Sequence, residues 1–318
     1  MKFSRRIAGA ALTGVAMALA VGLAGPASAQ SLKKVGVSVG SLGNPFFVAT
    51  IKGITDKAKS INPAVEVTSV SAEYDLNKQF TQIDNFIASG VNVIMLNAVD
   101  PQAILPAVKK AQAAGIVVAA FDVGATGVDV TVMTDNVKAG AEACQYIVDQ
   151  LKGKGSVLIV NGPQVSSVID RVKGCKEVFA KSPDIKILSD DQDAKGSRDG
   201  GLAIAQSLLT RFQKVDAVFA INDPTAIGVE LAAKQLNRSE FFITSVDGAP
   251  DIEVQLKSGT SMIKASASQD PYAMAGKALE LGAGIVDGKK PDPNVILLDP
   301  ALITSENLAN YKGWEAAR

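Results

Sequence analysis

The chain has 318 residues, 32 basic and 32 acidic side chains, two cysteines and no histidine. Its length suggests about two domains, and a composition 47% hydrophobic and 5% aromatic belongs to a folded globular protein, not a disordered one. Balanced charge argues against a nucleic-acid or anionic-membrane partner, the missing histidine excludes Ser-His-Asp triads, Cys-His pairs and His-ligated zinc, and two cysteines are too few for a thiolate cluster, so no metal or cofactor is expected.

Residues 1–29 read as an export signal. Lys2, Arg5 and Arg6 give a positive start, residues 7–23 form an uncharged Ala/Gly/Val/Leu run, and Ala27-Ser28-Ala29 follows Gly25-Pro26 as a cleavage pattern. The run is short and small-residue-rich for a membrane anchor, and no cysteine follows it to carry a lipid. Arg5-Arg6 also allows a twin-arginine signal. Cleavage after Ala29 removes three positive charges and no negative ones, leaving a net charge of about −3 on a soluble, periplasmic protein.

The mature sequence alternates short Val/Ile-rich runs with helical stretches. Strands are expected at 35–39, 65–70, 91–96 and 116–121, with helices at 45–60, 77–89 and 101–114 between them, Pro101 standing in the last helix's first turn. The pattern then restarts, with strands at 157–160, 185–188, 217–221 and 242–246 and helices at 137–151, 166–181, 199–212, 224–236 and 250–257. Two short strands, 262–267 and 295–298, flank a helix at 271–286. Strands apolar at successive positions are buried on both faces, and strand-helix-strand alternation builds right-handed parallel units. The fold class is therefore α/β, in two similar doubly wound parallel-sheet lobes. Cys144 and Cys175 lie in the helices flanking the strand at 157–160. In an oxidising compartment they form either one disulfide or two packed thiols; the bond is the expectation, because a crossover can bring those helices together on one face of the sheet.

Two such units could form a dinucleotide enzyme, but Gly36, Gly40 and Gly43 do not match G-x-G-x-x-G, and neither a phosphate loop nor a G-x-S-x-G elbow occurs. Ligands of open parallel sheets bind beyond the strands' carboxyl ends. There the sequence places Asn44 with Phe46 and Phe47, then Asp122, Arg171, Asn222, Asp247 and Gln269. Carboxylate, guanidinium and amide groups meet adjacent hydroxyls two at a time, and aromatic rings stack on the C–H faces of a sugar. No nucleophile with a base is present. Taken singly, Asx residues before proline often cap helices, and either phenylalanine could belong to the core.

At these residues the chain resembles the ribose-type periplasmic sugar-binding proteins of ABC importers (type I periplasmic binding proteins). Gly43-Asn44-Pro45-Phe46-Phe47, Asp135-Asn136, Arg171-x-x-Gly174, Phe219-Ala220-Ile221-Asn222-Asp223, Val246-Asp247-Gly248 and Gln269 carry the likeness, in order and over residues 35–307. The resemblance implies that Asn44 bonds a sugar lined by Phe46 and Phe47, while Asp122, Arg171, Asn222, Asp247 and Gln269 grip its hydroxyls. It also implies three crossovers, near Thr134/Asp135, Gln269/Asp270 and Asp299, acting as a hinge. One lobe would then comprise 30–134 plus 270–299 and the other 135–269 plus 300–318. Val123 replaces the arginine that follows the aspartate in ribose binders, and the segment 193–198 lacks their third aromatic. Ribose itself is thus disfavoured against a deoxy sugar, hexose or polyol, with Tyr74 the candidate replacement ring. The expected role is capture of a monosaccharide or sugar alcohol for an importer permease, by a monomer that is not an enzyme. A receptor for a sugar-like signal or a chemotaxis ligand would share the fold. Sugar-responsive repressors would instead begin with a helix-turn-helix.

Overall fold

A computed structural model describes Met1 and residues 32–314; the expected export signal lies otherwise outside the described residues. The first sheet is built from β1 (Lys34–Val39), β2 (Glu66–Ser71), β3 (Val93–Leu96), β4 (Val117–Phe121), β5 (Val130–Thr134) and β11 (Val295–Leu298), in the order β11-β5-β4-β3-β1-β2, all parallel. The second contains β6 (Lys154–Val160), β7 (Asp184–Ser189), β8 (Ala217–Ala220), β9 (Phe242–Asp247), β10 (Ile263–Ser268) and β12 (Ala301–Thr304), in the order β12-β10-β9-β8-β6-β7. Only the edge strand β12 runs antiparallel, against β10. The two lobes therefore repeat one winding, each with its first strand beside the third.

Helices cover both faces of each sheet, and the strand sequences show why. In β3, Val93 and Met95 enter the apolar cluster under α1 (Pro45–Ile61) and α9 (Pro271–Val286), while Ile94 and Leu96 enter the one under α2 (Leu76–Ala88) and α3 (Leu105–Ala113). In β6, Val157 and Ile159 face α4 (Asn136–Gln150) and α5 (Ser166–Phe179). Leu158 and Val160 face α6 (Arg198–Arg211), α7 (Asp223–Gln235) and α8 (Pro250–Ser258). Alternate side chains point to opposite faces, so a run apolar at every position is what a doubly covered strand requires.

Three features differ from the sequence reading. The third helix begins at Leu105, not Pro101: the Asp100 carboxylate accepts the backbone N–H groups of Gln102 and Ala103, which holds residues 101–104 in a turn, and Pro106 takes the first-turn place. The strands β5 and β12 did not stand out in the sequence. Each is short, and β5 gains its second neighbour only from the distant β11.

Among the described residues, the strands and α-helices of the two lobes are connected at three places: β5 to α4, β10 to α9, and β11 to β12. In the second lobe, α4 and α5 pack backbone to backbone. A methyl group on Gly140 would lie 2.0 Å from the Arg171 carbonyl, and one on Gly174 equally close to that of Val137. One turn further along, Cys144 and Cys175 are joined in a disulfide, with Cα atoms 5.1 Å apart. A bond closing a 31-residue separation contributes about 3 to 4 kcal/mol on the chain-entropy account. The paired variant Cys144→Ala/Cys175→Ala should lose that much unfolding free energy in urea titration. Unreduced, denatured wild type should show no free thiol; two per chain would contradict the bond.

Candidate functional site

The carboxyl ends of the strands in both sheets face a common cleft, and the loops that leave them line a cavity between the lobes. From the first lobe come Asn44, Phe46, Tyr74 and Asp122. From the second come Pro163, Val165, Ser167, Val168, Arg171, Gly196, Ile221, Asn222 and Asp247, and from the second crossover Gln269. A wider vestibule beyond Asn44, Tyr74 and Gly196 leads outward past Lys195, Arg198 and Asp251.

Among the described residues, Arg171 is the one cation lining the cavity, and it is 4% exposed. It projects from the second turn of α5, inside the helix and not from the loop before it. Nε donates to Asn136 Oδ1 at 2.9 Å and Nη1 to the Ile221 carbonyl at 2.9 Å, and Nη1 lies 3.5 Å from Asp247 Oδ1. Asp247 Oδ1 also accepts Gln269 Nε2 at 2.7 Å, and Gln269 Oε1 accepts the Thr134 hydroxyl at 2.7 Å. Asn136 Nδ2 donates to the Thr134 carbonyl. The polar groups thus form a closed ring, Thr134–Asn136–Arg171–Asp247–Gln269–Thr134, which runs through two of the crossovers.

Across the cavity, Asp122 Oδ2 accepts Asn97 Nδ2 at 2.7 Å. Its backbone sits at φ +66°, and Val123 N–H bonds the Phe121 carbonyl at 2.7 Å in a tight three-residue turn. Tyr74 (φ +56°) and Asp247 (φ +134°) also hold left-handed backbone at the cleft. Strained geometry of this kind persists where surrounding structure enforces it. Tyr74 lies over Gly40, where a Cβ would fall 2.6 Å from its ring.

The two asparagines serve twice. Asn44 caps α1, its Oδ1 taking the Phe46 N–H, and Asn222 caps α7, its Oδ1 taking the Thr225 N–H while Nδ2 donates to the Gly196 carbonyl. Two residues singled out in the sequence do not line the cavity. Phe47 is buried in the first-lobe core, because neighbouring positions on a helix point about 100° apart and Phe46 takes the cavity side. Val123 is 1% exposed and shares an apolar cluster with Val165 and Val168, since the tight turn at Asp122 directs it away from the cavity. The segment 193–198 supplies no ring, only the Gly196 backbone; its wall is replaced by the aliphatic Pro163, Val165, Val168 and Ile221. Asn97 and Asn136, which hold Asp122 and Arg171, and Thr134, which holds Gln269, were not picked out as site residues in the sequence, although Asn136 stands in the Asp135-Asn136 motif and Thr134 at an expected crossover.

Burial pushes the Asp122 carboxyl up to about 7; the Asp247 charge adds to this, while Arg171 and the Asn97 bond oppose it. Burial also raises Asp247 against the opposing effect of Arg171. Asp223, buried behind the site and bonded by the Ser245 and Ser266 hydroxyls and the Ala249 N–H, is raised by burial and then by Asp247. A carboxyl whose folded pKa exceeds its unfolded value keeps its proton in the folded state only. Its stabilising contribution is therefore present at low pH and is lost as pH rises from about 4 to about 7. For Asp122 this is on the order of a few kcal/mol. Ligand-free wild type should lose more unfolding free energy between pH 4.5 and pH 7.5 than Asp122→Asn does. Parallel profiles for the two proteins would place Asp122 in a solvated, ordinary environment.

Comparison with known proteins agrees with this architecture. The periplasmic binding protein domain family matches residues 35–290. The ribose import binding protein of Bacillus subtilis is 33% identical over 80% of this chain and 82% of its own. The xylitol-binding protein of Mycolicibacterium smegmatis is 32% identical over 92% of this chain and 85% of its own. The crystal structure of a Caulobacter myo-inositol binding protein bound to myo-inositol superposes with a TM-score of 0.81 at 26% identity, covering 88% of this chain and 96% of that one. With two like-wound α/β lobes meeting at a polar cavity, the chain belongs to the periplasmic binding protein family, among its ribose-type sugar binders.

Proposed function

We propose that this protein captures a neutral monosaccharide or sugar alcohol between its lobes, in the periplasm, and delivers it to the permease of an ABC importer. The observation that carries this reading is the composition of the cavity. One guanidinium and two carboxylates stand with three amide side chains between an aromatic wall, Phe46 and Tyr74, and an aliphatic one. Among the described residues, Arg171 Nη2 and Asp122 Oδ1 have no hydrogen-bond partner, while their sister atoms are tied down by Ile221 and Asn97. Arg171 therefore offers the N–H donors of Nη2, and Asp122 the Oδ1 acceptor, to ligand hydroxyls. Among the described lining residues, one cation against two carboxylates leaves no surplus positive charge for an acidic sugar, and no nucleophile is paired with a base, which supports binding in preference to catalysis. Relatives whose names specify ribose and xylitol support the ligand class. The crossovers at Thr134/Asp135, Gln269/Asp270 and Asp299 would form the hinge, with 30–134 plus 270–299 as one moving body. With Val123 buried away from the cavity, nothing among the described lining residues replaces the arginine that follows the aspartate in the ribose binders this chain resembles, and the loss of that grip favours a polyol, deoxy sugar or hexose over ribose.

A thermal-shift screen with pentoses, hexoses, polyols and amino acids tests the ligand class. A true ligand at 100 times its Kd adds about 2.7 kcal/mol of stability. Sugars or polyols should raise the melting temperature; a response to amino acids alone would overturn the reading. Arg171→Ala should weaken binding of the best hit at least a hundredfold in calorimetry, because its removal strands buried acceptors at a cost of a few kcal/mol. Unchanged affinity would make Arg171 a purely structural partner of Asp247.

A further inference from the structure

Beyond β12, the chain does not stay with the second lobe. After a short 3₁₀ turn at Leu308–Asn310, the Tyr311 hydroxyl donates to the Gly248 carbonyl at 2.7 Å, immediately after the site residue Asp247. The fit there is tight: a methyl on Gly248 would lie 2.6 Å from that hydroxyl oxygen, and one on Gly313, at φ +69°, would lie 2.5 Å from Glu253 Oε1. The chain then places Trp314, its sole tryptophan, in the apolar cluster of the first lobe. The indole meets Phe46 edge to face, with centroids 5.9 Å apart and planes at 75°. Its Nε1 donates to the Gln269 carbonyl at 2.9 Å. Trp314 is 8% exposed. One side chain of the C-terminal segment thus touches the aromatic wall of the first lobe and the crossover residue Gln269, both of which line the cavity. Its own segment is anchored to the second lobe through Tyr311. Such a tie shortens as the lobes come together and must stretch or release as they part.

We propose that Trp314 is a positioning residue, and that the segment from Tyr311 to Trp314 is a fourth tie between the lobes. It holds Phe46 and Gln269 in their cavity-lining places and biases the pair of lobes toward closure. The inference rests on the reading that a ligand is held between the lobes, but its first test uses none. In small-angle scattering, ligand-free Trp314→Ala should have a larger radius of gyration than ligand-free wild type, at unchanged secondary structure by circular dichroism. Trp314→Phe, which keeps a ring against Phe46 and loses the bond to Gln269, should fall between. A side chain with only a packing role would lower the melting temperature and leave the scattering of the folded protein unaltered. Superimposable curves for wild type and the folded variants would overturn the proposal; if Trp314→Ala does not fold, Trp314→Phe decides in the same way. Calorimetry with xylitol and with D-ribose is the second arm. A tie that favours closure slows release, so Trp314→Ala should bind the responding probe about tenfold more weakly, through a faster off-rate. If neither probe binds wild type, the ligand is another of the sugars or polyols in the thermal-shift screen, and the scattering result still judges the tie.

Discussion

A single buried guanidinium sets the conditions for everything around it. Taking an arginine out of water is costly unless its donors are met, and the fold meets those of Arg171 from three directions: Asn136 from the start of α4, the Ile221 carbonyl from the end of β8, and Asp247 from the end of β9. The helix that carries it is pressed against α4 at Gly140 and Gly174 and covalently joined to it at Cys144–Cys175. The partners are themselves held, Asp247 by Gln269 and Gln269 by Thr134. Because Thr134, Asn136 and Gln269 sit at crossovers, the charge that would grip a ligand and the segments that would bend on closure belong to one ring of hydrogen bonds closed by the Arg171–Asp247 ion pair. A displacement at either is felt at the other without any longer route through the protein.

The same economy appears in the asparagines. A helix N-terminus needs a side-chain acceptor for its first free N–H groups. By using Oδ1 for that purpose, Asn44 and Asn222 are fixed in orientation. A cap that also lines a cavity presents its amide in one rotamer only, so the residue loses little further freedom when a ligand arrives.

Much of the fold was legible in the sequence because its strands are apolar at successive positions, as in β3 and β6, and only double coverage by helices explains that. The polar residues of the cavity were legible for a related reason. In parallel sheets the carboxyl ends lie on one side, so Asp122, Asn222 and Asp247 could be placed together before any coordinates. What was not legible depends on angle and register. Phe46 and Phe47 are equal in the sequence and differ by one step around a helix, which sends one to the cavity and the other to the core. Val123 follows a site residue, yet the left-handed turn at Asp122 carries it into the interior. Asn97 and Thr134 have no motif of their own. Their roles come from partners that only the superposed strand ends bring within reach, and β12 and Trp314 gain meaning from chain segments far away.

The pairing of β11 with β5 also has a consequence for how the chain must be made. The first sheet cannot be finished from the residues that begin it: β5, at Val130–Thr134, keeps one edge open until Val295–Leu298 has been synthesised, and α9, which covers one face of that sheet, comes almost as late. Contacts of such large separation are slow to form, because the loop between them must be closed before they contribute. Most of the second lobe, from β6 to β10, is interposed, so the first lobe has no complete native state until β11 has been made. A nascent polypeptide of this topology therefore carries an open sheet edge throughout the synthesis of β6 to β10.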